Sequence, residues 1–138
     1  MPSHTNVPQK IMIIDDDVGV LVSAKRLLER RGYAVAIHEG GAGCVKEVSR
    51  FNPDLILVDV NMPFLTGDAF VSLFQPRSGV AHFSVVLYSG IDERALQEKA
   101  QKCGAQGYIS KAESTPEFTR KVACFLRHDY AAAQGTAD

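Results

Sequence analysis

Apolar residues along the chain alternate between two kinds of pattern. Residues 10–14 form a short, wholly apolar β-rich run, Ile11-Met12-Ile13-Ile14 after Lys10. Residues 18–31 then place Leu21, Ala24, Leu27 and Leu28 on one helical face, and Gly32 follows the basic last turn as a stop. The alternation continues. Residues 33–38 read as a second strand, and 41–51 as a short helix halted by Asn52-Pro53. Residues 55–59 are a third apolar strand, and 67–74 a short helix closed by Gln75-Pro76. Residues 84–89 are a fourth strand, 93–103 a helix ended by Gly104, and 107–110 a weak fifth strand. A last helix is expected over about 116–130. Pro116 suits its first turn, and Ser114-x-x-Glu117 has the form of a capping box.

Five β-α units result. The central strands lack polar alternation, so both of their faces should lie under helices, which predicts an α/β doubly wound parallel sheet. Function in such sheets sits beyond the C-terminal strand ends, near the switch in strand order. Asp15-Asp16, Asp59, Ser89 and Lys111 each end or follow a predicted strand. One domain is expected over residues 9–130, with a flexible N-terminus over 1–8. Residues 131–138, small and polar, read as a flexible tail or the start of a linker.

Composition narrows the classes. With 138 residues, 46% of them hydrophobic and 22% charged, the chain has the balance of one globular domain. A net charge of -1 leaves no electrostatic footprint for nucleic acid or an anionic membrane. Leu55-Ile56-Leu57-Val58 is of strand length, far short of a bilayer span, and residues 1–9 hold no apolar secretory core. Cys44, Cys103 and Cys124 show no CxxC pairing and read as reduced thiols in or near the core of a cytoplasmic protein.

The acids carry the chemistry. If the first and third strands are neighbours, Asp15, Asp16 and Asp59 converge in one pocket, where like charges raise pKa values unless compensated. A hard divalent cation is the natural compensation, and Mg²⁺ suits a few carboxylates with water and phosphate. Asp17 reads better as a helix cap, and the pair Asp15-Asp16 taken alone fits a cap or a ligand site equally. Ser89 alone is a turn residue and Lys111 alone a solvated charge. Together they supply a cation site, a nucleophilic carboxylate, a hydroxyl and an ammonium, one from each of four strands. That set suits in-line phosphoryl transfer to a carboxylate.

On these residues the chain resembles the receiver domain of bacterial two-component response regulators. The carriers are Ile13-Ile14-Asp15-Asp16-Asp17, then Leu57-Val58-Asp59-Val60-Asn61-Met62-Pro63 with Gly67, then Ser89-Gly90, then Tyr108-Ile109-Ser110-Lys111. The resemblance covers about residues 9–128 and implies a flavodoxin-like strand order, 2-1-3-4-5. It implies Asp59 as phosphoacceptor and Mg²⁺ (replaceable by Mn²⁺) as cofactor, bound directly by Asp16, mainly through water by Asp15, and by the backbone carbonyl of Asn61. Lys111 would contact the phosphoryl group, Ser89 would hydrogen-bond it, and Tyr108 would follow by turning inward. The implied donor is a phosphohistidine on a histidine kinase or phosphotransfer protein. The implied output is a changed protein-binding face on helix 93–103, strand 107–110 and the last helix. Such a domain promotes its own phosphorylation and dephosphorylation and is not a conventional enzyme.

Two residues depart from the family pattern. Ala112 stands where proline usually follows the lysine, and Ile91 stands where relatives carry polar side chains that help position the hydrolytic water. Other readings are weaker. Gly40-Gly41-Ala42-Gly43 lacks the spacing of a phosphate loop, and His4, His38, His82 and His128 lack metal spacing. Ser89 has no nucleophile elbow around it. A receiver-fold module that has abandoned phosphorylation would be missing one of the set. A haloacid dehalogenase-type phosphatase would carry its nucleophile after the first strand.

Overall fold

A computed structural model of the chain describes residues 7–61 and 83–135. Five parallel strands, β1 (Lys10–Ile14), β2 (Ala34–His38), β3 (Leu55–Val58), β4 (Ser84–Ser89) and β5 (Gly107–Ser110), form one sheet in the order β2-β1-β3-β4-β5. Between and after them run α1 (Val18–Glu29), α2 (Cys44–Phe51), α3 (Glu93–Cys103), α4 (Thr115–Leu126) and a short α5 (Tyr130–Gln134). The helix expected over residues 67–74 lies outside the described residues.

The wholly apolar strands have the cause inferred for them. Successive side chains of a strand point to opposite faces, and both faces here are covered. Ile11, Ile13, Leu55, Leu57, Val86 and Ile109 pack with Leu21 and Leu28 of α1 and Val122 and Phe125 of α4. The intervening Met12, Ile14, Ile56, Val58, Val85 and Leu87 pack with Cys44 and Val48 of α2 and Leu96 and Ala100 of α3. The fold is thus two cores separated by the sheet, each made of residues worth about 1.5–3 kcal/mol apiece when fully buried. The three cysteines are free, Cys44 and Cys124 buried and Cys103 half-buried, and burial pushes the Cys44 thiol up to about 11.

Local chemistry sets most boundaries. Asp17 caps α1, accepting from the Val20 amide, and Asp92 caps α3, accepting from that of Ala95. Helix α2 starts at Cys44, three residues later than expected, because Gly43 holds a left-handed φ of 84° that cannot belong to a helix. Ser114 caps α4 through the Glu117 amide, but the reciprocal half of a capping box is absent, since the Glu117 carboxylate pairs with Arg120.

The C-terminal region differs from expectation. The last long helix stops at Leu126 rather than near residue 130, because His128 adopts φ 60° and Asp129 starts a new helix by accepting from the Ala132 amide. Residues 131–135, expected as tail or linker, are docked. Ala133 is fully buried, Arg120 donates to the carbonyls of Ala132 and Gly135, and the Tyr130 hydroxyl bonds Ser84 and His128. The Gln134 amide lies along the free edge of β5, its oxygen accepting from the Tyr108 N–H at 2.6 Å and its nitrogen donating to the Tyr108 carbonyl at 3.1 Å. A side chain thereby stands where a further strand could pair. Gly107 makes this possible: a Cβ there would lie 2.3 Å from the Gln134 oxygen and 2.5 Å from the Phe125 ring.

Candidate functional site

Sheet register brings the acids together. Ile14 pairs with Val58 across adjacent β1 and β3, so Asp15 and Asp59, each one residue further on, emerge side by side. Their backbones are tied into the sheet, Asp15 N–H donating to the His38 carbonyl and Asp59 N–H to that of Ile14. Asp15 and Asp59 are buried and Asp16 is exposed. One oxygen from each of the three lies within 4.8 Å of the others. Asp15 uses Oδ1 to accept from the Asp17 amide at 2.9 Å.

Lys111 comes from the far side. Its N–H donates to the Ser89 carbonyl at 2.8 Å, fixing the strand end, and its ammonium reaches back over β4. Nζ lies 2.6 Å from Asp15 Oδ2 and 3.8 Å from Asp59 Oδ1. The Lys111–Ala112 peptide is trans, and the loop is held by the Ala112 N–H on Ser110 Oγ at 3.0 Å and the Glu113 N–H on the Ser110 carbonyl. Ser89 is buried, and its hydroxyl accepts from the Ile91 N–H at 3.3 Å.

Burial is the largest influence on Asp59 and pushes its carboxyl above the ordinary range. Lys111 opposes this, the Asp15 charge adds to it, and the Ser89 hydroxyl and Asn61 N–H oppose it again. The residues fit a hard cation. Three carboxylates converge, and the buried Oδ2 of Asp15 has no hydrogen-bond partner in good geometry, only the close charge of Lys111. An all-oxygen donor set of this kind suits Mg²⁺ or Mn²⁺ and not a soft metal.

Tyr108, on β5, is half-buried against the core shared with α3. Burial raises its phenol, as does Glu93 at the start of α3. Ile91 is half-buried on the same side. Asn61 is exposed just beyond β3; Met62, Pro63 and Gly67 lie outside the described residues, as do His4 and His82. His128 pairs with Tyr130 away from the acids, whereas His38 lines a cavity of about 640 Å³ together with Asp16. Sequence reasoning did not find Tyr88, whose ring lies under the Lys111 ammonium at 5.8 Å. Alternation puts its ring on the face of β4 opposite to Ser89 but does not by itself mark it out from a core aromatic.

Comparison with known proteins agrees with this geometry. A sequence model described as the response regulator receiver domain matches residues 11–123. PrrA of Mycobacterium tuberculosis, a transcriptional regulatory protein, is 28% identical over 94% of this chain and 54% of its own length. The chain thus spans about half the length of the first curated relatives it matches. The polar-differentiation response regulator DivK of Brucella anthropi is 24% identical over 87% of this chain and 98% of its own. Among solved structures, a response regulator receiver protein from Burkholderia phymatum superposes with a TM-score of 0.71 at 26% identity, covering 86% of this chain and 95% of that one. Among the described residues no helix is long and apolar enough to cross a membrane.

Proposed function

Because the chain belongs to the response regulator receiver domain family, we propose that Asp59 accepts a phosphoryl group from a phosphohistidine on a histidine kinase or phosphotransfer protein. An Asp59 oxygen attacks phosphorus in line. The donor's P–N bond breaks, and its electron pair stays on the imidazole nitrogen. The Lys111 ammonium, 3.8 Å from Asp59, is the cation to pair with the incoming oxygens, and Ser89 supplies a hydroxyl from the neighbouring strand. Asp16, Asp15, Asp59 and the Asn61 carbonyl are the residues to hold Mg²⁺, which supplies charge neutralisation at the phosphoryl oxygens when bound. The observation that supports this reading most strongly is the convergence of three carboxylates with Lys111 at the ends of β1, β3 and β5.

Phosphorylation then draws Ser89 toward the phosphoryl oxygens, and the Tyr108 ring turns into the vacated space, so that the face of α3, β5 and α4 changes its affinity for a protein partner. The surroundings are cytoplasmic in this reading. Beryllofluoride, a phosphoryl mimic, tests it. With Mg²⁺ it should give a bound ¹⁹F signal and shift the Tyr108 ring resonances, and the Asp59→Asn variant should show neither. A bound signal that survives Asp59→Asn contradicts the assignment.

A further inference from the structure

We propose that Tyr88 is a positioning residue for Lys111: its ring is the platform on which the ammonium rests while it changes partner from Asp15 to the group on Asp59. The inference rests on the phosphoacceptor reading of Asp59 and adds a residue to it.

The resting ammonium is not centred on Asp59. It lies 2.6 Å from Asp15 Oδ2 but 3.8 Å from the nearer Asp59 oxygen. To serve an anion on Asp59 it must loosen from Asp15 and move sideways by an ångström or so, without escaping to solvent along a cleft of about 430 Å³ that Lys111 itself lines with Asp17, Leu27 and Phe118. A hydrogen bond is directional and resists such a move. The face of an aromatic ring attracts a cation over its whole area, within about 6 Å of the centroid. Tyr88 meets that condition at 5.8 Å and lines the same cleft.

The ring is itself fixed. It stacks on Phe118 of α4, centroids 5.1 Å apart and planes tilted by 31°, and it packs against the core shared by α1 and α4. Burial, with the Asp15 charge second, pushes its phenol up to about 12, so the ring stays a neutral phenol at any working pH. Tyr88 and Ser89 are adjacent on β4, and alternation sends one side chain under the lysine and the other to Asp59. One strand end thus holds both the hydroxyl and the platform. The Lys111 backbone is tied to the same strand by its N–H on the Ser89 carbonyl.

The test uses the full chain in three forms: wild type, Tyr88→Phe, which keeps the ring, and Tyr88→Leu, which keeps only apolar bulk. In wild type the Lys111 ε-methylene protons should be shifted upfield of the other lysines by the ring. The shift should persist in Tyr88→Phe and vanish in Tyr88→Leu. Phosphorylation by acetyl phosphate should slow about fivefold in Tyr88→Leu, in keeping with one lost cation–π contact, at an unchanged Mg²⁺ dependence, and Tyr88→Phe should restore most of the rate. Urea midpoints identify any variant that is merely unfolded, and Tyr88→Met replaces Tyr88→Leu in that event. An unshifted Lys111 in wild type, a Phe variant as slow as the Leu variant, or a Leu variant as fast as wild type overturns the proposal. Wild type that is never phosphorylated overturns the reading of Asp59 instead, and the methylene shift still reports on the platform.

Discussion

Replacing Lys111 by methionine should cost about 3 kcal/mol of stability at neutral pH without added divalent cation, and much less in acid. The lysine is the close cation of two buried carboxylates, at 2.6 and 3.8 Å. At an effective dielectric constant of 20 the two attractions come to about 6 and 4 kcal/mol before desolvation is charged against them. Removing one partner of a buried pair typically costs about 3–5 kcal/mol, and the lysine side chain keeps 21% of its exposure, which argues for the low end. There is also a ceiling. A stranded carboxylate can take up a proton, and from an ordinary pKa of about 3.9 this costs about 4 kcal/mol at pH 7. The sign of the pH effect follows. The Asp59 carboxyl is already raised by burial with Lys111 opposing, so the variant raises it further. The native state then binds more protons than the unfolded chain, so stability is kept at low pH and lost as pH rises through the folded value. The penalty should therefore shrink by up to about 1.4 kcal/mol per pH unit between pH 7 and pH 5. Urea denaturation of both proteins in EDTA at the two pH values, with equal slopes, measures it. A penalty under about 1 kcal/mol at pH 7, or one that does not shrink on acidification, refutes the electrostatic account of the site.

Further outcomes follow from the same geometry. Mg²⁺ should raise the melting temperature of the wild type, by about 1.4 kcal/mol of stability at tenfold excess over Kd, and Asp16→Ala should remove most of that rise; a full rise in the variant places the cation elsewhere. Gln134→Ala should speed amide exchange at Tyr108 and cost about 1 kcal/mol, the usual worth of such hydrogen bonds, and unchanged exchange would mean that the docked C-terminal helix does not hold the β5 edge. Ile91→Glu should shorten the life of the phosphorylated form, because isoleucine cannot orient water; an equal decay rate dismisses Ile91 as a determinant.

Some of this was legible in the sequence for a definite reason. Strands such as 55–58 are apolar at every position because both faces are covered, and that pattern alone predicts the parallel doubly wound sheet that the two cores display. Asp15, Asp59, Ser89 and Lys111 could be read as a set because each ends or follows a strand of one parallel sheet, whose topology brings those ends to the same edge. What stayed hidden depends on contacts between distant residues. Gln134 bonds Tyr108 from 26 positions away, and nothing in a run of alanines announces that it will dock on an edge strand. Nor does Tyr88 differ, as one residue in an apolar strand, from an ordinary core aromatic until Lys111 folds over it.

The central claim, that Asp59 is the phosphoacceptor of a cation-dependent receiver, is tested most directly by the intact mass of the protein after incubation with acetyl phosphate and Mg²⁺. The account predicts an increase of about 80 Da, one phosphoryl group, that is absent in EDTA and absent in Asp59→Asn. An adduct of that mass persisting in Asp59→Asn, or forming equally without divalent cation, would contradict it.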